Sequence, residues 1–375
     1  MKFKVFKSIA IIAIAACFLI VFIAPNEVYG MEKTSLKSPT QLKAEKYSTS
    51  AIDLSWKKAE GANGYIIYKY NPKYKKYYKI KIIKNSNIVK WRNKKLSPGK
   101  TYGYKIKSYK LSKNNVKYSK PSLLATAKTF KHEYGVFIGL NRNNINKLYN
   151  YKTVVIDAEY FTSKDIKKLH NNNQKVYSYL NIGSIEKFRS YYNTYKNITL
   201  GKYQNWDDER WINVSNKDWQ SFIVNKTAKT YLNKGVDGFF VDNCDVYYLY
   251  KNEGIFKGLT NILKSIKSLN TKIIINGGDT FIKEYLKRQK SSQSIFDGIN
   301  QETVFTTINF SKNTFGKSDY STRTYYISYF KKLIKNNKKI FLLEYTTDTN
   351  FMKKIIIYCK KKGWYYYISK SIELN

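Results

Sequence analysis

The stretch KGVDGFFVDNCDVY, residues 234–247, places Asp237, Asp242 and Asp245 around a short apolar run. The surrounding chain carries 68 lysines and arginines against 26 aspartates and glutamates, a formal net charge of +42. Its two histidines, His132 and His170, are too few for a His-rich metal centre or a serine–histidine–aspartate triad. Carboxylates are then the groups left to do chemistry, and they recur in one kind of place. VVIDAEYF ends its apolar run at Asp157 and is followed by Tyr160; VYSYLN ends at Asn181, FFVDN at Asp242, IIIN at Asn276, INQE at Glu302 and FLLE at Glu344. Two carboxylates on opposite sides of a bond can act as proton donor and nucleophile or base.

Convergence of those positions requires parallel strands whose C-terminal ends meet. After TFKHEY the chain alternates apolar runs (GVFIGL, TVVIDA, KVYSYLNIG, GFFVDN, KIIING, GINQE, KIFLLEY, WYYYIS) with lysine-rich amphipathic segments such as DWQSFIVNKTAKTYLNKG and FKGLTNILKSIKSL. Eight strands alternating with helices predict an α/β fold, a (β/α)8 TIM-type barrel over residues 134–375, with its site at the mouth formed by the strand ends. The alternative, an open doubly wound sheet, lacks the glycine-rich turn of a nucleotide-binding version.

Each residue also has a plainer reading. Asp157 could cap a helix, Asp237 precedes its strand and reads as a turn or bottom-face residue, and Asp245 could simply begin a loop. Glu186 and Arg189 either pair with each other or orient a ligand. Of Trp206, Trp211 and Trp219, at most one is expected to touch a ligand, because aromatic residues are more often core. No calcium-loop spacing is present, so no metal and no cofactor are expected.

Residues 1–30 have a basic head, an apolar run from Ile9 to Ala24 and a small residue at Gly30, the pattern of a cleaved secretory signal. Secretion to the extracellular space or cell surface is expected, with membrane attachment only if the leader is retained. Cleavage would leave Cys244 and Cys359, too few for a disulfide framework, though a single bridge stays open. Residues 35–129 form closely spaced short strands and predict an all-β sandwich. Through Pro39, Leu54-Ser55-Trp56, Tyr65 and LSPGKTY ending at Tyr102, this segment resembles a fibronectin type III domain, with Tyr102 placed as a tyrosine corner. The basic residues are expected to spread over both domains as solvated faces, and no specific nucleic acid partner is expected.

The stretch from Tyr134 to the C-terminus resembles the endo-α-1,4-polygalactosaminidases of glycoside hydrolase family 114. VVIDAEYF, YLNIGSIEKFR, WDDERWINVSNKDW, GVDGFFVDNCDVY, IINGGDTF and GINQETVF carry the likeness. It implies a (β/α)8 barrel and a catalytic pair, Asp242 as nucleophile and Glu302 as acid/base in a retaining mechanism. Asp242 with Asp245 is the alternative pair, although neighbours on one strand end flank a bond less readily. Asp157, Tyr160, Asn181, Asp245, Asn276 and Glu344 are expected to bind an amino-sugar polysaccharide. A different class of function is a surface protein with an inert barrel, its basic surface holding an anionic cell-wall polymer.

Overall fold

A computed structural model describes residues 35–113, 115–288 and 295–375; the leader lies outside the described residues. The N-terminal part is built from β1 (Thr40–Lys46), β2 (Ile52–Lys57), β3 (Gly64–Asn71), β4 (Lys76–Ile83), β5 (Lys90–Asn93), β6 (Thr101–Ser112), β7 (Asn115–Tyr118) and β8 (Ala125–Lys128). All pairings are antiparallel: β1-β2-β5 in one sheet, and β4-β3-β6-β7 in the other with β8 also on β6. Alternate residues of the facing strands, among them Ile52, Leu54, Trp56, Tyr65, Ile67, Tyr104 and Ile106, meet between the sheets. The Tyr102 hydroxyl accepts from the Ser97 backbone N–H at 2.9 Å, the bond expected of a tyrosine at that corner. β5 and β7 are only four residues long and β1 carries just Leu42 and Ala44 on its inward side, too little apolar pattern for the sequence to announce them as strands.

The second part is an eight-stranded parallel sheet. Its members are β9 (His132–Phe137), β10 (Tyr151–Ile156), β11 (Lys175–Asn181), β15 (Gly238–Asp242), β16 (Lys272–Asn276), β17 (Gly298–Glu302), β20 (Lys339–Tyr345) and β21 (Tyr365–Ser369). They lie side by side in chain order, and β21 comes back alongside β9 to give a nearly closed barrel compatible with the TIM type. Two smaller sheets interrupt the repeat: β12 (Ser184–Glu186), β13 (Thr199–Lys202) and β14 (Glu209–Ile212) after β11, and the hairpin β18 (Thr306–Asn309) and β19 (Thr314–Lys317) after β17.

Barrel strands are buried on both faces, so their side chains divide between two cores. Tyr134, Val136, Val155, Tyr179, Phe240, Ile274, Phe341 and Leu343 fill the interior. The alternate residues, such as Phe239, Val241, Ile273, Ile275 and Leu342, pack against helices that include 253–268 and 320–335. The helix predicted from DWQSFIVNKTAKTYLNKG spans 217–234, widens to π-type turns at Phe222–Ala228 and ends at Gly235, whose φ of 104° is open to glycine.

Asp237 lies at the opposite end of the barrel from the strand C-termini, as its place before β15 predicts. It accepts from Val176 N at 2.9 Å and pairs with Lys175 at 2.6 Å and His170 at 2.9 Å. Asp237→Ala leaves that backbone N–H without an acceptor and should cost about 1–3 kcal/mol in denaturant unfolding while leaving kcat unchanged.

Candidate functional site

Because β10, β11, β15, β16, β17 and β20 are parallel neighbours, the residues at their C-terminal ends share one mouth. A cleft of about 830 Å³ opens there, lined by Asp157, Tyr160, Asp242, Asp245, Asn276 and Glu302 among others. The sequence-distant Asp242 and Glu302 meet through Asn276. Its Nδ2 donates to Asp242 Oδ1 at 3.0 Å and to Glu302 Oε1 at 2.8 Å. Those two bonds laid end to end limit the oxygens to about 5.8 Å apart. The bridging amide is itself held, since Asn300 Nδ2 donates to Asn276 Oδ1 at 2.7 Å and the Tyr134 hydroxyl donates to Asn300 Oδ1 at 3.2 Å.

The two acids are held differently. Asp242 Oδ1 also accepts from Asn243 N at 2.9 Å, whereas Oδ2 has no hydrogen bond among the described residues. Both Glu302 oxygens are occupied, Oε2 by the Tyr345 hydroxyl at 2.7 Å. Burial raises both pKa values, and the Glu302 charge pushes Asp242 further, well above the usual carboxylate range. Each strand turns away directly afterwards through a left-handed residue, Asn243 at φ 66° and Thr303 at φ 54°. For β-branched Thr303 that conformation is strained, by roughly 1–3 kcal/mol.

Asp245 lines the same cleft, accepts from Gly278 N at 2.9 Å and is raised to about 6 by burial. The close approach explains the glycine pair of IINGGDTF: a Cβ on Gly277 would stand 2.6 Å from Asp245 Oδ2, and both glycines have positive φ. Asp157 is present but engaged, paired with Arg189 Nη1 at 2.8 Å. Arg189 also meets Glu159 and, at 3.2 Å, Glu186, so Glu186 and Arg189 do pair with each other. Trp219 is fully buried in the core, while Trp206 and Trp211 line the cleft.

Two expected sugar-binding residues do not line it. Asn181 is buried and turned to local partners, its Oδ1 accepting from Ser184 N and Oγ and its Nδ2 donating to Glu209 Oε1 at 3.0 Å. Glu344 stands one residue out of register with Glu302, which pairs with Leu343, so it points to the outer side of the barrel. There its carboxylate accepts from the backbone N–H groups of Val304, Phe305 and Thr306 and from Thr306 Oγ1. It is completely buried and fastens the turn that follows Glu302.

The sequence reading missed Glu209. It arrives from β14, and its Oε1 accepts from Ser184 Oγ, Asn181 Nδ2 and Asn243 Nδ2, while burial raises it to about 7. The signal was the clustered charge of WDDERW, but only the pairing of β14 with β12 brings it over the mouth. Among the described residues that line the cleft, eight are carboxylates, none is lysine, and Arg189 is the sole cation. Cys244 and Cys359 are both free and buried, which settles the open question of a bridge.

Comparison with known proteins agrees with this architecture. The glycoside hydrolase domain of PelA from Pseudomonas aeruginosa superposes with a TM-score of 0.56 at 15% identity, over 64% of this chain and 95% of that one. Aspergillus fumigatus Ega3, solved in complex with galactosamine, gives 0.51 at 15% identity over 65% of this chain and 92% of that one. A search of curated proteins found no match. The sequence profile of glycoside-hydrolase family GH114 matches residues 115–374, well over half of the chain, and the chain accordingly belongs to that family and is a glycoside hydrolase.

Proposed function

We propose that the protein is a secreted, endo-acting glycosidase that hydrolyses α-1,4-linked polymers of galactosamine or N-acetylgalactosamine, in an extracellular matrix or at a cell surface. The observation that carries this reading is the acidic cleft of a strongly basic chain. Even with Asp157 and Glu186 paired to Arg189, Asp279 paired to Lys283 and one proton shared by Asp242 and Glu302, the eight carboxylates leave negative charge for the ligand to neutralise, which suits a sugar bearing ammonium groups. The galactosamine in the Ega3 structure supports the same substrate class. We assign residues 35–129 to a fibronectin type III-like domain and 134–375 to the hydrolase. The rival reading of an inert barrel on a binding protein has no specific observation in its favour.

In this scheme Asp242 is the nucleophile and Glu302 the acid/base. Asp242 Oδ2, the oxygen without a donor, is free to attack the anomeric carbon. Glu302 protonates the leaving oxygen and then takes the proton of the incoming water. Tyr345 suits that change of state, because its hydroxyl can donate to the carboxylate and accept from the acid. The oxygen spacing of at most about 5.8 Å fits the ~5–5.5 Å of retaining enzymes better than the ~6.5–9.5 Å of inverting ones. Asp157, Tyr160, Asp245 and Asn276 remain proposed ligands of sugar hydroxyls or amines.

Digestion of galactosamine oligomers, with chitin and neutral galactan alongside, tests the substrate by fragment mass. Shortening of the galactosamine oligomers alone supports it; no shortening overturns it. Proton NMR of the first product should show the α-anomer, and an initial β-product would rule out retention.

The pH profile follows from the raised acids. The working state holds one proton between Asp242 and Glu302; burial and the Glu302 charge favour it on Asp242 in the free protein, and the assigned roles require it on Glu302 once substrate is bound. On the acid side both are protonated and the nucleophile is lost; on the alkaline side both are ionised and the proton donor is lost. Because burial raises both groups and the Glu302 charge raises Asp242 further, kcat/KM should be bell-shaped with both limbs above the ordinary carboxylate range of ~4. A flat profile between pH 4 and 8 would contradict the shared proton.

A further inference from the structure

Basic residues occur in both domains, but the acids that balance them are not spread as evenly. From Gly61 to His132 the chain has twenty lysines and arginines and not one aspartate or glutamate. That stretch contains the whole β4-β3-β6-β7 sheet. Its inward face is the sandwich core, with Tyr65, Ile67, Tyr104 and Ile106. The outward face follows from the register: Tyr68 pairs with Lys105 on one side and Lys79 on the other, Ile66 pairs with Lys107, and Tyr70 pairs with Tyr77. Like charges on neighbouring strands repel, and no carboxylate of this stretch offsets them. Arg92 of this stretch pairs with Asp53, but among the described residues no carboxylate pairs with Lys79, Lys105 or Lys107, so the face keeps a single-sign field.

We propose that this outward face is a docking surface for a polyanion of the polyol-phosphate class, a phosphodiester polymer without bases. Charge complementarity selects a polyanion and excludes the cationic substrate proposed for the cleft, so the two parts of the chain take ligands of opposite sign. The state of the tyrosines selects among polyanions. Single-stranded nucleic acid is gripped by bases stacking on open aromatic rings. Here Lys105 Nζ sits over the Tyr77 ring at 4.9 Å, and Tyr70 and Tyr77 lie against each other with centroids 5.2 Å apart. Tyr70 and Tyr77 are used to hold a lysine and each other, and Tyr118 on β7, opposite Tyr109, is the one largely exposed ring of this face, so the face presents charge and a single isolated platform in place of the row of rings that successive bases need. A cationic matrix polymer also collects on an anionic surface, and docking there would bring the enzyme to its substrate despite their repulsion.

The test is binding of poly(glycerol phosphate) to the full chain, measured across a salt series. Lys79→Glu/Lys105→Glu/Lys107→Glu should weaken binding at least tenfold and flatten the slope of log K against log salt, by on the order of 0.7–0.9 per lost phosphate contact. The milder Lys→Gln triple guards against misfolding and should weaken it in the same direction. Equal loss in Lys331→Glu/Lys332→Glu/Lys335→Glu, on the helix 320–335, would show that net charge and not this face binds, and would overturn the proposal. Tighter binding of a length-matched oligothymidylate would overturn the polymer class. Hydrolysis of soluble galactosamine oligomers should be unchanged in the sheet variants, so docking and the cleft's chemistry fail or stand separately.

Discussion

Asp242→Asn and Glu302→Gln should each lower kcat by at least ~10³-fold, and the double variant should be barely worse than either alone, as expected of the proposed pair acting as a unit. The same substitutions do not weaken the fold. Asp242 sits buried beside Glu302 with its ionised form disfavoured, so its folded pKa lies above the unfolded value. A raised carboxyl contributes most stability while protonated and loses it as pH climbs through the folded pKa. At neutral pH the uncharged asparagine avoids the cost of burying that acid, and the melting temperature should hold or rise. Steady-state kinetics and calorimetry on the same preparations separate the effects. Retained hydrolysis in both single variants would remove this pair from the chemistry, and a large fall in melting temperature would show that the acids also serve the fold.

The second large effect is expected where there is no contact with the cleft. Glu344→Ala leaves the N–H groups of Val304, Phe305 and Thr306 without their buried acceptor. At ~1–3 kcal/mol for each unmet donor, with some relief from water entering the space, the loss should reach about 3–5 kcal/mol. In a domain the size of the barrel that corresponds to a fall of roughly 6–10 °C in melting temperature. Activity falls too, since the freed turn begins one residue after Glu302 and Thr306 Oγ1 also accepts from Tyr345 N at 3.1 Å. Kinetics should show the loss in kcat more than in KM, with Glu344→Gln recovering part of both. An unchanged unfolding midpoint would contradict the anchoring role.

These two glutamates also mark how far the sequence could be read. Both close an apolar run ahead of a polar segment, and as text INQE and FLLE are equivalent. That a strand ends there is legible, because burial on both faces makes each barrel strand a continuous apolar block with an abrupt polar end. The same continuity erases the alternation that would tell inward from outward. Glu302 shares the inward phase of Asn300, whereas Glu344 falls between Leu343 and Tyr345, both interior residues. Asn181 fails for a different reason. It has the inward phase of Tyr179, but the excursion through β12 and β14 supplies Ser184 and Glu209 as partners, and pairings that distant leave no local periodicity. The longer N-terminal strands with apolar runs were legible; β5 and β7 were not, since KWRN and NVKY are four residues long and bury no large apolar side chain fully, and β1 offers only Leu42 and Ala44.

Thr303 carries a consequence for how this enzyme can be improved. Glycine there would relax the backbone, lengthening the protein's survival on heating, and would release the constraint that aims its neighbour. Durability and turnover thus pull against each other at a single position, and screening for heat resistance alone would select slower catalysts.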